Sequence, residues 1–294
     1  MSDAPVPPVP SASDSAAESV ERGRRAAAVG DWKTAVAAWV AGANAGSLES
    51  ANLVVTAVPP LKGQADDGDV DAMALLAGVM LDFFDESAVP LVLAYATAAA
   101  RAGHPSAQRT LGLMYRTGRG VEPDGRRAED LFTAAAKAGD AYAAFNLAGM
   151  HITGDVRARD HDQCLRLLRQ AVAGGVTEAA AVLGDRLASV DADAEALSWY
   201  VYAAERGHAG SMFAAGCRYR DGLGTVPDPV QAVRWFLAML DKGDGGRGYG
   251  DGLHEAVQMV RRGMTDEQIR TAGQLAGRSS EAETLIRTAR PHGG

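Results

Sequence analysis

The stretch "LGLMYRTGRGVEPD", Leu111–Asp124, decides how this chain reads. It holds a glycine-spaced loop, "TGRGV", of the kind that can wrap a phosphate. It ends on an aspartate, a residue able to cap the free N–H groups of a helix start. A phosphate cradle needs Gly-x-x-x-x-Gly-Lys-Ser/Thr, and a dinucleotide fingerprint needs three glycines after a strand. Gly118 and Gly120 supply neither pattern, and no strand pattern precedes them. The loop returns in variant form as "TGDVRARD" (Thr153–Asp160) and "DGLGTVPD" (Asp221–Asp228). A nucleotide site is not normally copied at every repeat. Gly118 and Gly120 therefore read as turn residues, since glycine tolerates the positive φ such a turn requires.

The repetition extends well beyond the loop. "AAARAG" (Ala98–Gly103), "AAAKAG" (Ala134–Gly139), "QAVAGG" (Gln170–Gly175), "YAAERG" (Tyr202–Gly207) and "AMLDKG" (Ala238–Gly243) end on glycines spaced 36, 36, 32 and 36 residues apart. Leu111, Leu147, Leu183 and Ala215 keep the same step, as do Ala128, Cys164, Ala196 and Ala232. The short spacing falls on the same unit in all three registers. Each unit reads as two helices. The first runs from about Ala107 to Arg116, with Leu111 and Tyr115 on one face. The second starts at Asp124 and ends at Gly139, a residue suited to the left-handed position after a helix. "DHDQ" (Asp160–Gln163) and "DPVQ" (Asp228–Gln231) have the form of a capping box, the latter with proline at the first helical position. Connections of about four residues make neighbouring helices antiparallel. The expected fold is all-α, a right-handed α-solenoid of antiparallel helix pairs.

The pattern also sets the expected domains. Residues 1–15 are rich in Pro, Ser and Ala and read as a disordered tail. The repeat region spans 16–243. Its first part is irregular, because only 22 residues separate Gly46 from Gly68 and Pro59-Pro60 lies between them. "DGGRGYGDG" reads as a glycine-rich linker over 244–252. Residues 253–294 read as capping helices: Leu253, Val257 and Val260 at helical spacing, then a capping box at "TDEQ" (Thr265–Gln268) with an apolar stripe of Ile269, Ala272 and Leu275, then a last helix over Ser280–Arg290.

The string from Ala107 to Ala128, A-x-x-x-L-G-x-M-Y-x-x-G-x-G-V-x-x-D-x-x-x-A, closed by A-A-x-x-G at Ala135–Gly139, resembles the Sel one-like repeat family, a relative of the tetratricopeptide repeat. The resemblance is strongest over Ala107–Gly139 and Ser211–Gly243 and clear over Ala143–Gly175. In Ala179–Gly207 the loop shrinks to "ASVDAD", and in Ala72–Gly103 it becomes "LDFFDESAVP". The resemblance implies a bacterial-type role in regulation or complex assembly. Members described as acting on β-lactams carry paired cysteines in each repeat. Here Cys164 and Cys217 fall on different helices two units apart, and the chain has no Ser-x-x-Lys. A catalytic role is not expected.

Composition narrows the partners. The net charge of −8 argues against nucleic acid, which needs clustered positive charge. No apolar run approaches the roughly 20 residues of a membrane span. The N-terminus has no basic and apolar regions of a secretory signal, and two cysteines are too few for a disulfide scaffold, so a reducing, cytoplasmic setting is expected. His104, His151, His161, His208, His254 and His292 show no ligand spacing, so they read as solvated, with no metal and no cofactor. Trp39, Tyr95, Trp199 and Trp235 read as inter-helix core, Tyr95, Trp199 and Trp235 sharing one repeat position. In helical solenoids the first helix of each pair lines the concave face. The candidate contact residues there are Arg109, Arg116, Asn146, Met150, Asp185, Arg186, Met212, Arg218 and Arg220, since Arg and Met are enriched at interfaces. The expected function is a non-enzymatic adaptor or scaffold that binds a protein or peptide in that groove. The alternative is an immunity or inhibitor protein that neutralises a partner toxin or enzyme.

Overall fold

The structure is a computed structural model that describes residues 12–241 and 249–289, and all regular structure in those residues is helical. The chain divides into two compact units at Leu167/Leu168.

In the first unit the helices are α1 (Ala12–Ala28), α2 (Trp32–Asn44), α3 (Leu48–Thr56), α4 (Val58–Asp66), α5 (Val70–Phe83), α6 (Val89–Arg101), α7 (Pro105–Thr117), α8 (Gly125–Lys137), α9 (Ala141–Thr153) and the start of α10 (His161–Ala173). Sequential helices pack on one another, α5 on α6, α6 on α7, α7 on α8 and α8 on α9. The second unit holds the rest of α10, then α11 (Thr177–Ala188), α12 (Asp193–Glu205), α13 (Ala209–Asp221), α14 (Pro229–Ala238), α15 (Tyr249–Arg261), α16 (Asp266–Ala276) and α17 (Ser279–Thr288). There α11, α12, α13 and α14 pack in turn, and α16 lies against both α14 and α17.

Local chemistry explains where the helices begin. Asp124 Oδ1 accepts from the backbone N–H groups of Arg126 and Arg127, and Asp140 Oδ1 accepts from that of Ala143. Asp160 accepts from Gln163 N–H at 2.9 Å. Asp228 caps α14 the same way, but Gln231 does not complete the box, because its Oε1 accepts from Arg234 instead. The full reciprocal box forms at Thr265 and Gln268. Helix ends follow the expected glycine rule: Gly118, Gly154 and Gly222 sit in the left-handed region after α7, α9 and α13.

In three of the pairs, a first-helix glycine receives a second-helix ring. A Cβ on Gly112 would stand 2.8 Å from Phe132, on Gly184 2.9 Å from Tyr200, and on Gly216 2.5 Å from Phe236. The missing side chains let the helices close, and Phe132 and Phe236 are fully buried. These rings come one position after the Tyr95, Trp199 and Trp235 register. Tyr95 and Trp235 are themselves buried, while Trp199 is half-buried.

Two glycine loops also touch the preceding pair. A Cβ on Gly120 would meet Val89 Cγ1 at 2.3 Å, and one on Gly224 would meet the Asp193 carbonyl oxygen at 2.3 Å. The second glycine of the loop thus seats on the start of the previous pair's second helix, as well as shaping a turn.

Some expectations are corrected. Residues 12–15, read as tail, belong to α1, and residues 249–252, read as linker, open α15. Gly252 is a close-packed glycine there: its Cβ would lie 2.7 Å from the Phe236 carbonyl oxygen. The rest of the expected tail and linker, at 1–11 and 244–248, lies outside the described residues, as do Arg290 and His292. Leu275 is 49% exposed and faces away from the core stripe of Ile269 and Ala272. The gap around Pro59-Pro60 becomes two short helices, α3 and α4, with Pro59 in the first turn of α4.

Candidate functional site

In the second unit a cleft of 470 Å³ lies between α11 and α13. Ala181 and Asp185 come from α11, Tyr200 from α12, and Phe213, Ala214, Cys217 and Arg218 from α13. Leu223, in the glycine loop after α13, stands at its edge with 44% of its surface exposed. The wall is mainly apolar.

Its polar groups are largely engaged with one another. The Tyr200 hydroxyl donates to Asp185 Oδ1 at 2.6 Å. Burial, and then the Asp185 carboxylate beside it, push the Tyr200 phenol well above its ordinary range. Arg218 donates to Asp193 Oδ1 at 2.7 Å and its guanidinium lies 5.2 Å from the Tyr200 ring centroid. His208 caps α13, its Nδ1 accepting from Ser211 N–H at 3.1 Å. Asp185 is exposed and, among the described residues, has no ion-pair partner.

The sequence candidates divide clearly. In the first unit Arg109 is tied to the Asp140 cap and lies over the Tyr142 ring. Arg116 is exposed and Asn146 is half-buried. Met150 is fully buried in that unit, so it offers no contact surface. In the second unit Met212 is also core, at 5% exposure. Arg186 is half-buried, and its Nε is a buried donor without an acceptor among the described residues. Arg220 is committed to Asp221 and Glu255. Asp185 and Arg218 are the two candidates that the cleft brings together.

The register could have found the residues that were missed. Phe213 and Ala181 occupy the repeat position of Arg109, and Cys217 that of Asp185. The burial of Met150 was equally legible. It shares its position with Met114, which is also fully buried, and with Arg186 and Arg218, which are half-buried. The histidines are also not all solvated: His151 is 7% exposed and lies close to the Asp160 N–H. Among the described residues neither cysteine forms a disulfide; Cys164 is buried and Cys217 half-buried. Among the described residues no three His, Cys, Asp or Glu side chains gather as metal ligands would, and no helix is long and apolar enough to cross a membrane.

Comparison with known proteins fits this architecture. The Sel1 repeat family matches residues 105–140, 141–176, 183–208 and 209–244. No curated protein matches the chain. A Sel1 repeat protein from Oxalobacter formigenes is similar in structure over 94% of this chain and 98% of its own, at 15% identity and a TM-score of 0.53. A sel1 repeat protein from Klebsiella pneumoniae subsp. pneumoniae aligns over 69% of this chain and 99% of its own, at 20% identity and a TM-score of 0.42. An immunity protein from Pseudomonas aeruginosa aligns over 76% and 83%, at 16% identity and a TM-score of 0.40. The shortened third match, 183–208, coincides with the unit whose loop is "ASVDAD". The described residues form an all-α helical repeat fold, and four segments between residues 105 and 244 match the Sel1 repeat.

Proposed function

We propose that the chain is a non-enzymatic adaptor that binds a protein or peptide along the first helices of its repeats, with the α11–α13 cleft as a principal contact. Sel1 repeats commonly mediate protein–protein interaction. The observation that carries the reading is the state of the cleft's polar groups. Arg218 and Tyr200 are held by Asp193 and Asp185. They hold the cleft's shape. An apolar wall with few polar groups is the usual make-up of a recognition surface. In the first unit, Arg116 and Asn146 reach solvent on first helices of their own.

The net charge of −8 favours one narrower form of this role, an inhibitor or immunity protein that neutralises a basic partner. Affinity capture with the full chain tests the broader reading. Ala214→Trp, which fills the cleft, should abolish recovery of the partner. Recovery unchanged by that substitution moves the contact away from the cleft. A partner that proves to be a toxin or enzyme whose activity falls on binding supports the narrower form.

A further inference from the structure

We infer that the α11–α13 cleft takes a peptide segment in which an apolar side chain stands beside a lysine or arginine. The inference rests on the cleft being a partner-binding site and adds the chemistry of the partner.

Three features of the cleft define the occupant. The first is the apolar wall. Ala181, Phe213 and Ala214 line it, and Leu223 stays 44% exposed at its edge. Placing an aliphatic or aromatic side chain against them removes apolar surface from water on both partners. A volume of 470 Å³ suits one or two side chains, well short of a folded domain.

The second feature is the charge balance of the groups around the wall. Arg218 is 11% exposed and neutralised by Asp193 at 2.7 Å. Its charge is offset by that pairing. His208 uses Nδ1 to cap α13. The Asp185 carboxylate is exposed and, among the described residues, bonded only through Oδ1, to the Tyr200 hydroxyl. A neutral donor leaves the negative charge in place, and the second oxygen remains open. A phosphate, a carboxylate or a nucleic acid strand would meet that charge, and the cleft's guanidinium, Arg218, is already paired with Asp193. A lysine or arginine would form a charge-assisted hydrogen bond with it.

The third feature is preorganisation. Asp185 lies on a helix, and the Tyr200 hydroxyl fixes its carboxylate at 2.6 Å. Tyr200 is itself wedged against Gly184 and over Arg218. A fixed acceptor loses little conformational entropy on binding. The net charge of −8 acts in the same direction at longer range, drawing basic segments toward the surface.

The test is panning of phage-displayed random peptides on the immobilised full chain, with Asp185→Asn and Ala214→Trp panned in parallel. Melting curves check that both variants fold, and Leu223→Ser, in an exposed loop, serves as a second cleft variant. The expected result is enrichment of peptides that place an aromatic or large aliphatic residue beside Lys or Arg. A synthetic copy of an enriched peptide should bind Asp185→Asn about tenfold more weakly, the scale of one lost hydrogen bond to a charged group. It should also shield Cys217 from N-ethylmaleimide, Cys164 being buried. Peptides that depend on Ala214 and Leu223 but carry no basic bias, or bind Asp185→Asn unchanged, overturn this inference and leave the cleft as a binding site. Enrichment indifferent to both Ala214→Trp and Leu223→Ser, or no enrichment at all, overturns the cleft as a peptide site and the inference with it.

Discussion

The Arg218 guanidinium meets the Asp193 carboxylate at 2.7 Å, which ties α13 to the first residue of α12 in the preceding repeat. Arg218 is 11% and Asp193 33% exposed, so the pair is shielded on one side only. An acid in the first helical turn also faces the positive end of the α12 dipole. Arg218→Ala should therefore lower unfolding free energy by about 1–2 kcal/mol, more than a fully exposed pair would supply. A double-mutant cycle with Asp193→Ala measured in urea should return a coupling of about 1 kcal/mol. A coupling near zero with an intact single-mutant cost would place the Arg218 contribution in its contact with the Tyr200 ring.

Two helix glycines should respond to alanine with opposite signs. A Cβ at Gly216 would stand 2.5 Å from the Phe236 ring, which is fully buried and has no room to retreat. Gly216→Ala should destabilise by about 1–3 kcal/mol, the usual cost of overpacking. Gly149, inside α9, has nothing within 4 Å of its Cβ position. Gly149→Ala should raise stability by about 0.5–1 kcal/mol through helix propensity alone. Thermal melts of the two variants check both signs. Destabilisation by both would mean that α9 packs on its Gly149 face.

The repeat spacing made most of the helices legible, because a recurring position reports its own periodicity. It did not report what each position touches. Gly120 and Gly224 read as turn residues, yet their second job is to seat on Val89 and Asp193 of the preceding pair. Gly252 read as linker because composition does not separate a free glycine from one pressed on the Phe236 carbonyl. The site was half legible. Met150 and Met212 were chosen by residue type, although Met150 shares its register with Met114 and Met212 with Ala144 and Ala180, all of them buried. Asp185 and Arg218 reached the cleft; Phe213 was legible only through the register it shares with Arg109, and Leu223, an apolar residue in a loop, has no signature of its own.

The reciprocal box at Thr265 and Gln268 should be needed to start α16. Thr265 Oγ1 accepts from Gln268 N–H at 3.2 Å, and Gln268 Oε1 accepts from Thr265 N–H at 2.9 Å. Thr265→Ala should cost about 0.5–2 kcal/mol, while Thr265→Ser should cost little. Hydrogen exchange at the first turn of α16 gives the local readout. Protection there unchanged in Thr265→Ala would show that packing of Ile269, which is fully buried, is enough to hold the turn.

Tyr200 should make the protein alkali-sensitive. Burial, and then the Asp185 carboxylate at 2.6 Å, raise its phenol above the ordinary value of 10.0. In the unfolded chain the phenol loses its proton near that ordinary value. In the folded chain it keeps it. Between the two values the unfolded state therefore binds fewer protons, and stability falls as pH rises. Below about pH 9 both states hold the proton, and the shift has no effect on stability. Urea unfolding followed from pH 8 to pH 11 should show a loss of stability that sets in near pH 10. Tyr200→Phe removes the titrating group, so the part of that loss due to Tyr200 should vanish. Asp185→Asn should shrink it and leave the contribution from burial. An alkaline slope identical in the wild-type chain and Tyr200→Phe would show that this phenol titrates alike in both states, and that the Tyr200–Asp185 contact is open in solution.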